Sequence, residues 1–144
     1  AAGTKNFFLR NKKGTMWLVT CDENQPVDLR HLGTALGAGR LSFASPERLM
    51  RFLGITTGAV SPLALINDVT HKVHFAIDRS LLRHDQLHVH PLVNTLTTTL
   101  PTIGLVQFAI KTGHPPGYLT FNHDGSVTVD TSSNKMPDGR LKVT

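Results

Sequence analysis

Apolar residues come in short runs along this chain, and most runs are bounded by turn residues. Phe7-Phe8-Leu9 and Met16-Trp17-Leu18-Val19-Thr20 flank Asn11-Lys12-Lys13-Gly14, which predicts a β-hairpin with Lys5 at the entrance of its first strand. Cys21 to Gln25 reads as a polar loop. Asp28 can cap a helix running to about Leu36, with Leu29, Leu32, Ala35 and Leu36 on one face and Gly37 or Gly39 as its stop. Leu41-Ser42-Phe43 is a short strand. Ser45-Pro46-Glu47 then opens a second helix, with Leu49, Met50, Phe52 and Leu53 on its apolar face and Gly54 at its end. Val73 to Ile77 alternates as a strand, and Arg79 to Arg83 makes one helical turn. Leu87 to His90 and Leu96 to Leu100 predict two more strands, and Ile103 to Lys111 a further amphipathic helix. Leu119–Phe121 and Val127–Val129 pair across Asp124-Gly125, a hairpin signal. From Thr131 on, polar residues with Pro and Gly dominate, and a loosely ordered tail is expected. The sum is an α/β (α+β) domain of short strands with about four helices.

Length and composition narrow the class. At 144 residues the chain is one domain with room for a real core, and no apolar run approaches the ~20 residues of a membrane span. The single cysteine, Cys21, excludes an intramolecular disulfide and fits a reducing, cytoplasmic setting. No signal peptide is visible at the start of the sequence, which does not begin with Met. Lys plus Arg number 15 against 10 Asp plus Glu, a net charge of +5 that favours an anionic partner, nucleic acid first.

The stretch Gly58-Ala-Val-Ser-Pro-Leu-Ala-Leu-Ile-Asn-Asp68 stands apart from this pattern. Gly58 can take positive φ, and Pro62 fixes its own φ and pushes Ser61 toward extended geometry. Between them Ala59, Val60 and Ser61 can present N–H groups to an oxyanion or a phosphate. The apolar run Leu63–Ile66 then reads as a buried strand. The plainer reading is an ordinary loop into the core. His84, His88 and His90 with Asp85 suggest a metal, but no Cys or HExxH pattern completes a ligand set, so neither a metal nor another cofactor is expected. Cys21 lies among acidic residues, which raise a thiol pKa and make it a poor nucleophile. With no GxSxG, Walker or GxGxxG pattern, an enzyme here has to work by positioning, backbone donors and a cation, Lys5 being the best placed.

Five segments in order resemble the YbaK/prolyl-tRNA editing domain family, and most of all its alanyl-tRNA(Pro) deacylase branch. They are Thr4-Lys5-Asn6-Phe7-Phe8-Leu9, Leu36-Gly-Ala-Gly-Arg-Leu-Ser-Phe43, Gly58–Asp68, His90-Pro-Leu-Val-Asn94 with Thr97-Thr98, and Gly113-His114-Pro115. The resemblance covers roughly Lys5 to Pro116. It implies a single domain with a mixed, mostly antiparallel, barrel-like sheet. An editing domain is expected over 1–117, without the helical segment that usually precedes the lysine, and a hairpin and tail over 118–144.

The resemblance carries the family's key lysine onto Lys5 and its Gly-x-x-x-Pro loop onto Gly58 through Pro62. The catalytic set expected is Lys5, Gly58, Ala59 and Val60; the substrate-binding set is Arg40, Ser61, Pro62, Asn67, His90 and Asn94. The implied activity is hydrolysis of the ester joining a wrong amino acid, alanine foremost, to tRNA for proline. The implied partners are the acceptor end of that tRNA and, as a second partner, prolyl-tRNA synthetase. The alternative is a non-catalytic domain of the same fold that binds tRNA or a synthetase.

Overall fold

Asn11 closes the first hairpin from within. Its N–H donates to the Thr15 carbonyl at 3.0 Å, its Oδ1 accepts from the Thr15 N–H at 2.9 Å, and its Nδ2 donates to the Ala38 carbonyl at 3.0 Å. Gly14, at φ 85°, supplies the left-handed residue that the turn requires. The hairpin's register follows: in β1 (Ala2–Arg10) and β2 (Met16–Asp22), Lys5 faces Cys21, Asn6 faces Thr20 and Arg10 faces Met16. The structure is a computed structural model that describes residues 1–89 and 98–130.

The hairpin sits at the centre of one mixed sheet. The other strands are β3 (Ser42–Phe43), β4 (Val73–Asp78), β5 (Gln86–Val89), β6 (Thr98–Pro101), β7 (Gly117–Phe121) and β8 (Val127–Asp130). Their order is β6-β5-β1-β2-β4-β7-β8, with β3 paired to β1. β1–β2, β1–β3, β5–β6 and β7–β8 are antiparallel, while β1–β5, β2–β4 and β4–β7 are parallel. The inner strands read as continuous apolar runs because both faces of the sheet are covered.

Alternation divides each inner strand between two cores. Phe8, Leu18, Phe75, Ile77 and Tyr118 enter the first, beneath α2 (Pro46–Leu53), α3 (Thr102–Lys111) and the 3-10 helices. Leu9, Val19, Ala76 and Leu119 enter the second, with Leu32 of α1 (Leu29–Ala35). The helix signals act as expected. Asp28 accepts from the Arg30 N–H, Ser45 accepts from the Arg48 N–H, and Gly54 ends α2 at φ 68°.

Four features differ from the sequence expectation. Leu63–Ile66 is not a strand but part of a 3-10 helix, Pro62–Asn67. Pro62 is preset for a first helical turn, the Ser61 hydroxyl accepts from the Leu63 N–H at 3.2 Å, and burial falls on Pro62, Ala64 and Leu65 while Ile66 stays 54% exposed. Cys21 and Asp22 belong to β2 rather than to a loop. Lys5 is the fourth residue of the nine-residue β1, inside the strand and not at its entrance. The three α-helices and three 3-10 helices of the described residues agree with the flanking helices expected. β7 runs across the expected division at 117/118, and Tyr118 and Leu119 are among the most deeply buried side chains. The tail from Thr131 lies outside the described residues. No helix among the described residues is long and apolar enough to cross a membrane.

Candidate functional site

The stretch around Gly58 is tied to β1 through an asparagine. Asn6 donates from Nδ2 to the Val60 carbonyl at 3.3 Å, and its Oδ1 accepts from the Thr20 hydroxyl at 2.6 Å. Thr20 is fully buried and lies directly opposite Asn6 in the hairpin. Two strand positions thus fix the height of the loop above the sheet. Two positions from Asn6 on β1, Thr4 donates from Oγ1 to the His88 carbonyl at 2.6 Å and secures β5 on the other side.

The loop itself is compact. Thr57–Ala59 is one 3-10 turn, with the Ala59 N–H donating to the Thr56 carbonyl at 3.0 Å. This uses one of the three donors expected to be open. Gly58 occupies the middle of that turn and is not among the glycines with left-handed φ, so the freedom a glycine offers is not used here: a 3-10 turn needs ordinary helical φ. Ser61, extended at φ −147° and ψ 142° as a residue before proline should be, is completely buried. Its hydroxyl caps the following 3-10 helix, and its N–H has no acceptor among the described residues. Pro62 is buried at the start of that helix. Asn67 serves the framework, since its Nδ2 donates to the Leu53 carbonyl at 2.9 Å and joins the helix end to α2.

Lys5 looks the other way. Strand alternation puts it on the face of Phe7 and Leu9, opposite Asn6. Its ammonium stands 5.7 Å from the centre of the Phe7 ring, and its charge is felt by the paired Cys21. Arg40 is exposed on the same side as α1, in an open cleft of about 500 Å³ lined also by Leu29, Arg30, Thr34, Gly39 and Leu41. No described contact brings Lys5 or Arg40 to the loop. His90 and Asn94 lie outside the described residues. His88 pairs Nδ1 with the Thr99 hydroxyl at 2.9 Å across β5 and β6.

Two side-chain nucleophiles are removed from consideration by this geometry. Burial, with Asp78 next, pushes the Cys21 thiol up to about 12, while Lys5 pulls the other way. The sequence placed the cause in neighbouring acids; burial within β2 is larger. The Ser61 hydroxyl is turned into its own helix cap.

Sequence reasoning missed Asn6 and Thr20 as loop supports, although the turn-fixed register already places them face to face. It also missed a buried pair. Asp68 accepts from the Lys72 N–H at 3.1 Å and the Val73 N–H at 2.8 Å, and it meets His114 Nε2 at 2.9 Å. Both side chains are 1% exposed. The 46 residues between them leave no local signal.

Residues 1–108 match the model of the aminoacyl-tRNA editing domain. The chain belongs to that family. Among relatives of this editing domain, the "Prolyl-tRNA editing protein ProX" of Acetoanaerobium sticklandii is 42% identical over 97 residues, covering 67% of this chain and 59% of that protein. The "Prolyl-tRNA synthetase associated domain-containing protein 1" of Danio rerio is 36% identical over 121 residues, 83% of this chain and 66% of that one. The editing domain thus spans less than two thirds of the length of either relative. Among solved structures, a candidate trans-editing enzyme for prolyl tRNA synthetase superposes with a TM-score of 0.63 at 19% identity, over 79% of this chain and 67% of the other. At that identity the match concerns the fold, and it agrees with the mixed sheet and flanking helices described above.

Proposed function

We propose that this editing domain is a trans-acting deacylase that hydrolyses the aminoacyl ester of mischarged tRNA for proline, with alanine as the preferred misplaced residue. The observation that carries the reading is the buried Ser61 N–H, which has no acceptor among the described residues and lies in a loop that Asn6 and Thr20 brace. A preset backbone donor aimed at developing negative charge is worth about 3–4 kcal/mol of barrier lowering elsewhere. The names of the two relatives quoted above support the choice of a prolyl-tRNA as substrate.

An aminoacyl ester is already activated, so the reaction needs no protein nucleophile. Water adds to the carbonyl carbon, the oxygen gains charge beside the Ser61 N–H, and the C–O bond to the ribose breaks. Free amino acid and the tRNA hydroxyl leave. The vicinal ribose hydroxyl takes the water's proton in the attack and relays it to the departing oxygen. Lys5, on the other face of β1, neutralises a phosphate of the acceptor end. Ala59, Val60 and Pro62 wall the amino-acid pocket with small or rigid groups, and a tight wall rejects bulk more readily than it rejects a smaller residue. Arg40 lies with Lys5 on the side of the phosphate backbone, and His90 and Asn94 are kept as pocket residues on family likeness alone.

A second reading, a non-catalytic domain that binds tRNA or a synthetase, draws on the separation of Lys5 from the loop. Paired hydrolysis of alanyl- and prolyl-tRNA(Pro) decides between them. Selective loss of alanine supports the deacylase; no loss of either ester supports the binding module.

A further inference from the structure

The far end of the central hairpin carries a cleft of about 440 Å³ that the proposed chemistry does not use. Three elements that are distant in sequence build it. The β1–β2 turn gives Lys13, α2 gives Arg48 and Arg51, and the run into β4 gives His71, Lys72 and His74. β2 and β4 lie side by side and parallel, with Met16 level with Val73 and Trp17 level with His74, which is why the turn and the His71–His74 run share a rim. Arg48 reaches across to Met16, its Nη1 3.9 Å from the sulfur. No Asp or Glu lines the cleft, and none of its Lys or Arg residues joins an ion pair among the described residues. Four like charges gathered this way repel one another, so the arrangement costs stability unless an anion occupies it.

His71 shapes the floor. It is the one non-glycine with left-handed backbone among the described residues, at φ 57°. Its ring packs edge-on to His114 at 5.3 Å, over Gly113, where a Cβ would come within 2.3 Å of the imidazole. His71 and His74 also belong to an adjoining cleft of about 480 Å³ whose other walls include Trp17, Phe75 and Pro115. A cationic trough therefore runs into an aromatic and apolar recess.

We infer that this cleft binds the phosphate backbone of RNA, with a base or ribose edge resting in the adjoining recess. Lys5 and Arg10 are five residues apart on β1, about 17 Å of strand, and the cleft lies beyond Arg10. A ligand that engages both ends of the hairpin is a polymer, not a mononucleotide. A membrane surface fits poorly, because the cationic groups line a concavity rather than one face of an amphipathic helix. The choice of RNA over another polyanion rests on the proposed function, whereas the cleft's affinity for phosphates does not require hydrolysis.

The test uses uncharged tRNA(Pro) transcript and the full chain. Affinity is measured by anisotropy across a salt series for wild type, for K13Q/R51Q/K72Q, and for the charge-matched control R30Q/R83Q/K111Q, with circular dichroism to verify folding. Each phosphate contact contributes about 0.9 to the log–log salt slope on duplex and about 0.7 on single strands. The cleft triple is expected to flatten the slope by roughly 2–3 and to weaken binding at least tenfold at moderate salt. The control is expected to change the slope by less than one. Equal effects of the two triples, or a cleft triple that binds like wild type, overturn the inference. So does a cleft triple that loses binding to anionic vesicles or to an acidic peptide while keeping its RNA affinity. A wild type that binds RNA through the cleft but hydrolyses neither ester would refute the deacylase and leave this inference standing; selective hydrolysis with an unaltered cleft triple would do the reverse.

Discussion

Replacing Asp68 with alanine should be among the most damaging single changes outside the hydrophobic cores. Asp68 ends the 3-10 helix Pro62–Asn67 with its own N–H, which donates to the Leu65 carbonyl. Its carboxylate receives two N–H groups where the chain turns into β4 and holds His114 from 46 residues away. Because a carboxylate oxygen only accepts, the hydrogen of that contact sits on Nε2. Lys72 is exposed, and water can replace its lost partner. Val73 and His114 are 2% and 3% exposed, so their donors would stay buried and unmatched. Each such orphan costs about 1–3 kcal/mol, which puts the total near 4 kcal/mol. Against a typical stability of roughly 5–15 kcal/mol this is a large fraction. For a chain of this size it corresponds to a fall in Tm of about 10 °C.

Urea unfolding followed by circular dichroism measures this directly, with D68A, H114A and the double variant completing a cycle. H114A should cost less, because Asp68 keeps both backbone donors. The coupling between the two sites should reach about 1–3 kcal/mol. Kinetics extend the test to the site, since loosening the helix that Ser61 caps should impair deacylation even at temperatures where the variant remains folded. A D68A loss below about 1 kcal/mol would refute the reasoning, for it would mean that water reaches both donors.

Three further outcomes are expected. Cys21, with its thiol pushed up to about 12 by burial, should resist Ellman's reagent at pH 8 in the folded protein and react promptly in urea; fast labelling of folded protein would contradict its placement in β2. Lys5→Ala should raise the KM of deacylation at least tenfold with little change in kcat, yet shift stability by less than about 1 kcal/mol, the worth of a half-buried cation over an aromatic ring such as Phe7; unaltered kinetics would remove Lys5 from the mechanism. Gly54→Ala should cost about 1–2 kcal/mol, because its φ is 68° and the new methyl would press on Asn67 at 3.2 Å, whereas Gly58→Ala carries no left-handed penalty; equal losses by denaturant titration would contradict the geometry of the loop.

The parts of the fold that were legible in the sequence are those fixed by neighbours along the chain. The hairpin turn, both helix caps, the glycine stops and the Asp124-Gly125 turn each act through residues a few positions apart, so composition and spacing suffice. Leu63–Ile66 misled because a short apolar run satisfies a buried strand and a buried 3-10 helix equally well. Only Pro62 and the Ser61 cap tilt the balance, and both act from outside the run. The parallel neighbours β2–β4–β7 and β1–β5 were not legible at all, since nothing local chooses among strands joined through helices.

The site follows the same division. The loop and Lys5 were both recognisable as segments, but which face of β1 each serves depends on counting the strand from its true start at Ala2. Placed inside the strand, Lys5 shares a face with Phe7 and Cys21, and Asn6, its neighbour, turns to the loop. If one reaction uses both faces, the two residues cannot contribute alike. A cation that holds a distant phosphate binds substrate and transition state equally, so its loss appears in KM. A brace that aims the Ser61 N–H acts only as charge develops on the carbonyl oxygen, so its loss appears in kcat. On the proposed function, the alternation of a single strand would separate binding from chemistry, with β1 as the partition between a face that holds the nucleic acid and a face that cuts the ester.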